Sequence, residues 1–100
     1  MSGYRIYVHP TAWREMRELP GHVRQGVRRA VDDLSQMPRP SNSRQLDLPG
    51  TDVEARRLRL ERWRIVYVVT EHAQTVDILA VRRRPPYDYG DLTALLATVL

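Results

Sequence analysis

Residues 56 to 70 alternate arginine with apolar side chains on both sides of a short gap, a pattern that predicts a β-hairpin. With a two-residue turn at the centre, Arg59 lies opposite Arg64. Because successive side chains on a strand point to opposite faces, Arg57, Arg59 and Arg64 then share one face. The apolar face comprises Leu58, Leu60, Trp63, Ile65 and Tyr67.

The position of the turn decides whether these arginines form a site. Like charges directly opposite each other destabilise a sheet, so the stacked pair of Arg59 and Arg64 indicates a bound polyanion as the compensating partner. A turn of odd length, or a bulge, would instead place the arginines on opposite faces. The hairpin therefore predicts an anion site that depends on its register.

The rest of the chain predicts an α+β fold around this hairpin. The predicted elements, in order, are a strand at residues 4–9, a helix from Pro10 to Leu19, a helix at about 22–36, a loop at 37–52, strands at 53–60, 63–70 and 75–82, and a short helix after Gly90-Asp91. We expect a small antiparallel sheet, made of the first strand and a three-stranded meander, packed against a helical hairpin. Trp13 is expected in the core, and the helices are expected to leave the arginine face open.

The length and composition fit one domain spanning residues 1–100. Without cysteine the chain has no disulfide, thiolate metal site or cysteine nucleophile. No stretch has the length and apolar character of a membrane span, and residues 1–5 lack an apolar signal segment. We therefore expect a soluble cytoplasmic protein that does not associate with a membrane.

The positive charge of the chain is carried entirely by arginine. All 16 basic residues are arginine, the net charge is +4, and arginine outnumbers acidic residues between positions 53 and 87. Codon bias explains the absence of lysine as simply as selection does. A basic balance of this kind is compatible with nucleic acid, an anionic membrane or an acidic protein as partner.

A second basic segment is predicted to approach the hairpin. In an antiparallel meander the end of the third strand lies beside the start of the second, which brings the run Arg82-Arg83-Arg84 towards Trp63 and Arg64. Guanidinium groups bind phosphate through two parallel hydrogen bonds and stay protonated near neutral pH. The cluster suits phosphate binding; the alternative is a solvated polar face paired with nearby carboxylates.

The histidines do not form an evident site. His9 ends a strand, His22 begins a helix and His72 lies in a turn, so surface or capping roles are expected for all three. The adjacent carboxylates Asp32 and Asp33 point in different directions on a helix. We therefore expect no metal site and no cofactor.

With these features the sequence resembles the RelE/ParE superfamily of toxins from bacterial type II toxin–antitoxin systems. The resemblance covers nearly the whole chain. It rests on Pro10 to Ala12, Leu19-Pro20, Arg57-Leu-Arg59-Leu, Trp63-Arg-Ile-Val-Tyr67 and the segment from Ala80 to Tyr87. It implies a RelE-like fold and one of two activities: mRNA cleavage in the ribosomal A site, as in RelE-like toxins, or inhibition of DNA gyrase, as in ParE-like toxins.

The basic cluster followed by a tyrosine favours the RelE-like ribonuclease. The resemblance implies catalytic roles for Arg57, Arg59, Arg64, Arg84 and Tyr87, with Tyr89 as the alternate. We predict further RNA contacts from Arg56, Arg62, Trp63, Arg82 and Arg83. The best-known RelE toxins have lysines where this chain has Arg57 and Arg59, and arginine is a poor proton acceptor. The general base is therefore unassigned.

The resemblance also implies the partners. They are a cognate antitoxin, acidic to suit the arginine face, in a toxin–antitoxin hetero-oligomer, together with the ribosome and mRNA. Two alternatives remain. One is a ParE-type gyrase inhibitor without nuclease activity, and the other is a non-toxic binding or co-repressor subunit.

Overall fold

The computed structural model describes residues 3–48, 52–83 and 91–97. Its elements are β1 (Arg5–Val8), α1 (Pro10–Arg17), α2 (Gly21–Asp33), β2 (Ser43–Leu46), β3 (Glu54–Leu60), β4 (Trp63–Thr70), β5 (Thr75–Arg83) and α3 (Leu92–Ala97). The strands form one sheet in the order β1-β5-β4-β3-β2. The predicted α+β class is confirmed, as are the helical hairpin and the short helix after residue 90. Within the described ranges no helix is long and apolar enough to cross a membrane.

The predicted hairpin register is confirmed. β3 and β4 pair Leu60 with Trp63 and Arg59 with Arg64 across a two-residue turn. Glu61, the first turn residue, has φ 55°, a left-handed conformation that is uncommon outside glycine. Two-residue hairpin turns require positive φ at this position, because only then does the turn match the twist of the strands.

Two expectations about the sheet are wrong. β1 pairs with β5 in parallel rather than antiparallel, so the sheet is mixed. The segment from Met37 to Asp52 is not all loop, because its residues Ser43–Leu46 form β2 on the free edge of β3. Side-chain alternation indicates which residues form a strand, but it does not give the direction or the partner of a strand that pairs across a long sequence separation.

A β-bulge in β5 changes which side chains share a face. Tyr67 pairs with Ile78 and Val66 pairs with Ala80, so Leu79 is the extra residue. Simple alternation along β5 would place Ala80 on the same face as Ile78, but Ala80 lies on the opposite side of the sheet. A bulge redirects the side chains that follow it. Here it brings Arg82 opposite Arg64.

Apolar side chains pack on both faces of the sheet, fully on one face and in part on the other. The larger core lies between the sheet and the two long helices and includes Val27, Leu34 and Ile78. A smaller apolar cluster on the arginine side of the sheet includes Leu96 of α3. The expectation that the helices leave this face open is therefore wrong in part: α3 covers some of it, while the arginine end stays accessible.

Trp13 is not a core residue as expected, since 50% of its surface is exposed. Ala12 and Met16, one helical turn apart, face the core from α1 and are buried. Trp13 is rotated by roughly 100° from Ala12 around the helix, which directs it away from the sheet. In the sequence, a large apolar side chain next to the buried stripe of a helix cannot be distinguished from a member of that stripe.

Tyr67 links the core to the segment that precedes β2. Its ring is fully buried and its hydroxyl donates to the carbonyl oxygen of Pro38 at 2.7 Å. Tyr67→Phe would leave that acceptor without its donor, and we expect the free energy of unfolding to fall by about 1 to 3 kcal/mol. Chemical denaturation measures the change.

Tyr4→Phe is the matched control for this substitution. The Tyr4 hydroxyl donates to the exposed carboxylate of Glu71, which water can solvate when the bond is lost. The loss at Tyr4 should be smaller than at Tyr67. Equal losses in the two variants would show that the buried bond to Pro38 adds nothing of its own.

Candidate phosphate-binding site

A cavity of about 480 Å³ opens on the arginine face of the sheet. It is lined by Ser41, Asn42, Arg44, Arg57, Arg59 and Arg64. The three hairpin arginines predicted to share a face therefore meet in one cavity, and among the residues that the structure describes no carboxylate lines it. Four guanidinium groups in one concave surface concentrate positive potential and favour an anionic ligand.

Arg64 is the most enclosed of these arginines, with only 5% of its surface exposed. Its Nη1 donates to the carbonyl oxygens of Glu61 at 3.1 Å and Trp63 at 2.9 Å. The tight turn therefore fixes the guanidinium before any ligand arrives. A donor fixed in advance stabilises developing negative charge without having to reorganise.

Asn42 and Arg44 also line the cavity, although neither was predicted as a site residue, because the sequence of their segment predicts a loop. Asn42 pairs with Arg59 through two bonds: the Arg59 amide donates to the Asn42 carbonyl oxygen at 2.9 Å, and Asn42 Nδ2 donates to the Arg59 carbonyl oxygen at 3.0 Å. Two residues further along the chain, Arg44 of β2 pairs with Arg57 of β3. Leu46 and Leu48 are both half-buried against the smaller core. Their alternation with polar residues was the sequence signal for this strand.

Arg39 fixes the segment that leads into β2. Its Nε and Nη2 donate to the two carboxylate oxygens of Glu54 at 2.7 and 2.8 Å, and Nη2 also donates to Glu71 at 2.8 Å. The hydrogen bonds from Arg39 lower the pKa of Glu54. The pKa of Glu71 is lowered first by the hydroxyl of Tyr4 and then by Arg39. These bonds connect the segment before β2 to β3 and to the β4–β5 turn.

The lowered pKa of Glu54 predicts a pH-dependent contribution to stability. A carboxyl whose pKa is lower in the folded protein stabilises it above the unfolded pKa, near 4.3 for glutamate, and this contribution disappears as the pH falls through the folded value. Glu54→Gln should therefore lower the free energy of unfolding by about 1 kcal/mol or less at pH 7. The loss should almost disappear at an acidic pH at which Glu54 is protonated in both the folded and the unfolded wild-type protein. Urea denaturation at several pH values tests this; a cost that does not change with pH would contradict it.

Arg82, predicted to contact RNA, forms ion pairs within the protein. Its Nε donates to Glu15 at 3.1 Å, and its Nη1 and Nη2 donate to the two carboxylate oxygens of Asp91 at 2.7 and 2.6 Å. Glu15 also accepts the backbone amide of Val81 at 2.9 Å. Arg82 lowers the pKa of Asp91. Arg82 therefore joins α1, β5 and the residue that precedes α3.

The other predicted RNA contacts lie around the cavity rather than in it. Arg56 points to the opposite face, where it donates to Ser43 Oγ at 3.1 Å and lies 3.4 Å from the Glu54 carboxylate. Trp63 packs against the larger core, as the sequence predicted, and pairs with the exposed Arg83 at the end of β5. Arg62 is exposed in the hairpin turn.

Arg84 and Tyr87, together with the alternate Tyr89, lie outside the described residues. The histidines take the roles expected of them. His9 accepts the Thr11 amide at 3.1 Å and caps α1, while His22 and His72 are exposed. In the part of the chain that the structure describes, no three potential metal ligands lie together.

Comparison with known proteins gives one family match. The sequence profile described as "ParE toxin of type II toxin-antitoxin system, parDE" matches residues 6–85. A search of curated proteins returned no match.

Several solved structures share the fold. A chain of the archaeal RelE–RelB complex from Pyrococcus horikoshii is 24% identical, with a TM-score of 0.74 over 85% of this chain and 99% of that one. A chain of the RelBE2 toxin–antitoxin complex from Mycobacterium tuberculosis is 25% identical, with a TM-score of 0.70 over 82% of this chain and 99% of that one. A free variant of the Escherichia coli toxin RelE is 22% identical, with a TM-score of 0.64 over 98% of this chain and 99% of that one.

Proposed function

The chain belongs to the ParE toxin family of type II toxin–antitoxin systems, within the RelE/ParE superfamily, and on this premise we propose that it is a toxin that cleaves mRNA on the ribosome. The observation that carries the proposal is the cavity lined by four arginines and, within the described ranges, by no carboxylate. A toxin that cuts RNA must hold a phosphate and stabilise the charge that develops on it. Fixed guanidinium groups do both.

The proposed reaction uses the RNA as its own nucleophile. The 2′-hydroxyl oxygen attacks the adjacent phosphorus, a new O2′–P bond forms, and the P–O5′ bond breaks. The 2′-hydroxyl gives up its proton, the departing 5′-oxygen takes up a proton, and the products are a 2′,3′-cyclic phosphate and a 5′-hydroxyl. Arg64 is proposed to bind the phosphate oxygens as they gain charge, since its guanidinium is already held by two carbonyl oxygens.

The remaining roles follow from the chemistry of each side chain. Arg57 and Arg59 bind phosphate rather than accept a proton, because a guanidinium group keeps its proton and has no acceptor atom. Arg84 is proposed as a second phosphate ligand. Tyr87, with Tyr89 as the alternate, is proposed to stack on a base or assist proton transfer. Positioning of the RNA by the ribosome would supply much of the rate.

The proposed RNA contacts are revised by the observed positions of the arginines. Arg44 joins the set because it lines the cavity. Arg62 and Arg83 stay as peripheral contacts, since both are exposed near the ends of the hairpin and of β5. Arg56 and Arg82 are reassigned to holding the fold, because both bind carboxylates of this chain.

A cognate antitoxin is the proposed protein partner. The P. horikoshii and M. tuberculosis relatives were solved as toxin–antitoxin complexes. An antitoxin with acidic side chains would complement the arginine cavity and block access to it. We propose a hetero-oligomer of toxin and antitoxin that acts in the cytoplasm, where the ribosomal target is located.

Inhibition of DNA gyrase is the second candidate function. The observation that favours it is the family match, because the matched family is named after the ParE toxin. In this case the cavity would bind a protein or DNA surface and carry out no chemistry.

Induction of the isolated protein in bacteria separates the candidates. Mapping of mRNA 5′ ends should show new ends within translated codons soon after induction, and blocking translation initiation should remove them. A DNA-damage response that precedes any fall in protein synthesis would support gyrase inhibition and contradict the ribonuclease. Harmless induction would favour a binding or co-repressor subunit.

A further inference from the structure

The four cavity arginines form two cross-strand pairs, and we propose that each pair holds one of two successive backbone phosphates of a single RNA strand. The inference rests on the proposed function and specifies how the substrate lies in the site. We call Arg59 and Arg64 the inner pair, and Arg44 and Arg57 the outer pair.

The strand register defines these pairs. Arg59 lies directly opposite Arg64 across β3 and β4. Arg44 lies directly opposite Arg57 across β2 and β3. Arg57 and Arg59 are two residues apart on β3, so both pairs project from the same face, and all four residues line one cavity.

The spacing of the pairs suits a nucleic-acid backbone. Two residues along an antiparallel strand span about 7 Å, and the two pairs are also offset by one strand spacing of about 5 Å, so their centres lie roughly 8 Å apart. Successive phosphates of an extended RNA strand are separated by a similar distance, because a sugar and its linking atoms lie between them. The two phosphorus atoms of pyrophosphate share one bridging oxygen and lie much closer together, so that ligand cannot fill both pairs at once.

The charge distribution supports one phosphate for each pair. Directly opposed like charges destabilise a sheet until an anion lies between them. Among the described residues, no carboxylate is within ion-pair distance of Arg44 or Arg59. Each pair therefore keeps positive charge for a ligand, and a chain of phosphates supplies two negative charges at the required interval.

The inner pair is the one assigned to the scissile phosphate. Arg64 is buried and held by two carbonyl oxygens, whereas Arg44 is exposed. A fixed group suits transition-state stabilisation, and a mobile surface arginine suits ground-state binding. The outer pair should therefore govern affinity and the inner pair the rate.

Equilibrium binding to short RNA analogues tests the two-phosphate geometry. The probes are 2′-O-methyl trinucleotides, which cannot be cleaved, with two charged linkages or with either linkage replaced by a neutral methylphosphonate. The fully charged trinucleotide should bind about tenfold or more tightly than either singly charged one. Its slope of log affinity against log salt should be steeper by about 0.7, the value for one more phosphate contact on a single strand.

Arg44→Gln provides the critical variant, and Arg29→Gln on the exposed face of α2 is the matched control. Arg44→Gln should shrink the affinity difference between the doubly and singly charged probes, whereas Arg29→Gln should leave that difference as in the wild type. Because Arg44 is exposed, thermal unfolding of the variant should match that of the wild type.

Three results would overturn the two-phosphate geometry: equal affinity for all probes, an Arg44→Gln loss of the same factor for every probe, or pyrophosphate competing as strongly as the charged trinucleotide. These are distinct from failure of the proposed function. Ribosome-dependent cleavage without a second-phosphate effect removes only the geometry. A second-phosphate effect without cleavage keeps the geometry and removes the ribonuclease.

Discussion

Arg64→Ala is expected to slow mRNA cleavage on programmed ribosomes by about 10²- to 10³-fold, the loss seen when one fixed donor to a developing negative charge is removed. Arg64 lines the cavity, is buried, and is held by the carbonyl oxygens of Glu61 and Trp63. Single-turnover cleavage at saturating toxin measures the loss, because it isolates the chemical step from binding and product release.

Arg64→Lys and Arg29→Ala are the controls for this experiment. The lysine keeps the charge but loses the planar fork of donors, so its rate should lie between those of the wild type and Arg64→Ala. Arg29→Ala, which removes an exposed arginine from α2, should cleave at the wild-type rate. Thermal unfolding of each variant separates loss of the site from loss of the fold. Wild-type cleavage by a folded Arg64→Ala variant would contradict the assigned role.

Ile78→Ala should produce the largest loss of stability, about 2 to 5 kcal/mol in the free energy of unfolding. Ile78 is fully buried in β5, paired with Tyr67 on one side and with Val8 on the other. Truncation removes apolar contact and leaves a cavity that the covered sheet cannot close. Chemical denaturation measures the change, which corresponds to about 4 to 8 °C in Tm per kcal/mol for a domain of this size.

Ile6→Ala is the matched control for the core substitution. Ile6 lies on the edge strand β1 and is half-buried, so the same truncation removes less buried surface there. Its cost should be clearly smaller than that of Ile78→Ala. A similar loss at both positions would show that the central strand contributes no more to stability than the edge.

The hairpin could be predicted from the sequence because its signal is local. Strict alternation and a short turn determine which residues face each other, and the pairing of Arg59 with Arg64 followed directly. The helical stripe of α2 was equally informative, since Val23, Val27 and Val31 are all buried. Both patterns depend only on residues close together in the chain.

The predictions that were wrong or incomplete concern places where segments distant in the chain come into contact. The parallel pairing of β1 with β5 is not encoded in either strand alone. The bulge at Leu79 interrupts no obvious sequence pattern, yet it decides that Arg82 faces Arg64. The ion pairs of Arg82 with Glu15 and Asp91 join three segments that are distant in the chain. Sequence patterns therefore do not indicate which arginines form ion pairs within the protein.

The candidate site also divides into a part that could be predicted from local sequence patterns and a part that could not. Its hairpin arginines followed from local alternation. Arg44 lies in the short edge strand β2 and Asn42 directly precedes it, and the turn-like composition of this segment obscures its pairing with β3. An edge strand of four residues has little sequence signal of its own, because its position depends on the neighbouring strand and on the Arg39 and Tyr67 bonds to the segment before it.

The most direct test of the ribonuclease proposal is the chemistry of the RNA ends produced by the purified protein on ribosomes with a defined codon in the A site. The proposed mechanism predicts cleavage within that codon, a 2′,3′-cyclic phosphate on the upstream fragment and a 5′-hydroxyl on the downstream one. Intact mRNA under these conditions, together with inhibition of DNA supercoiling by purified gyrase, would contradict it.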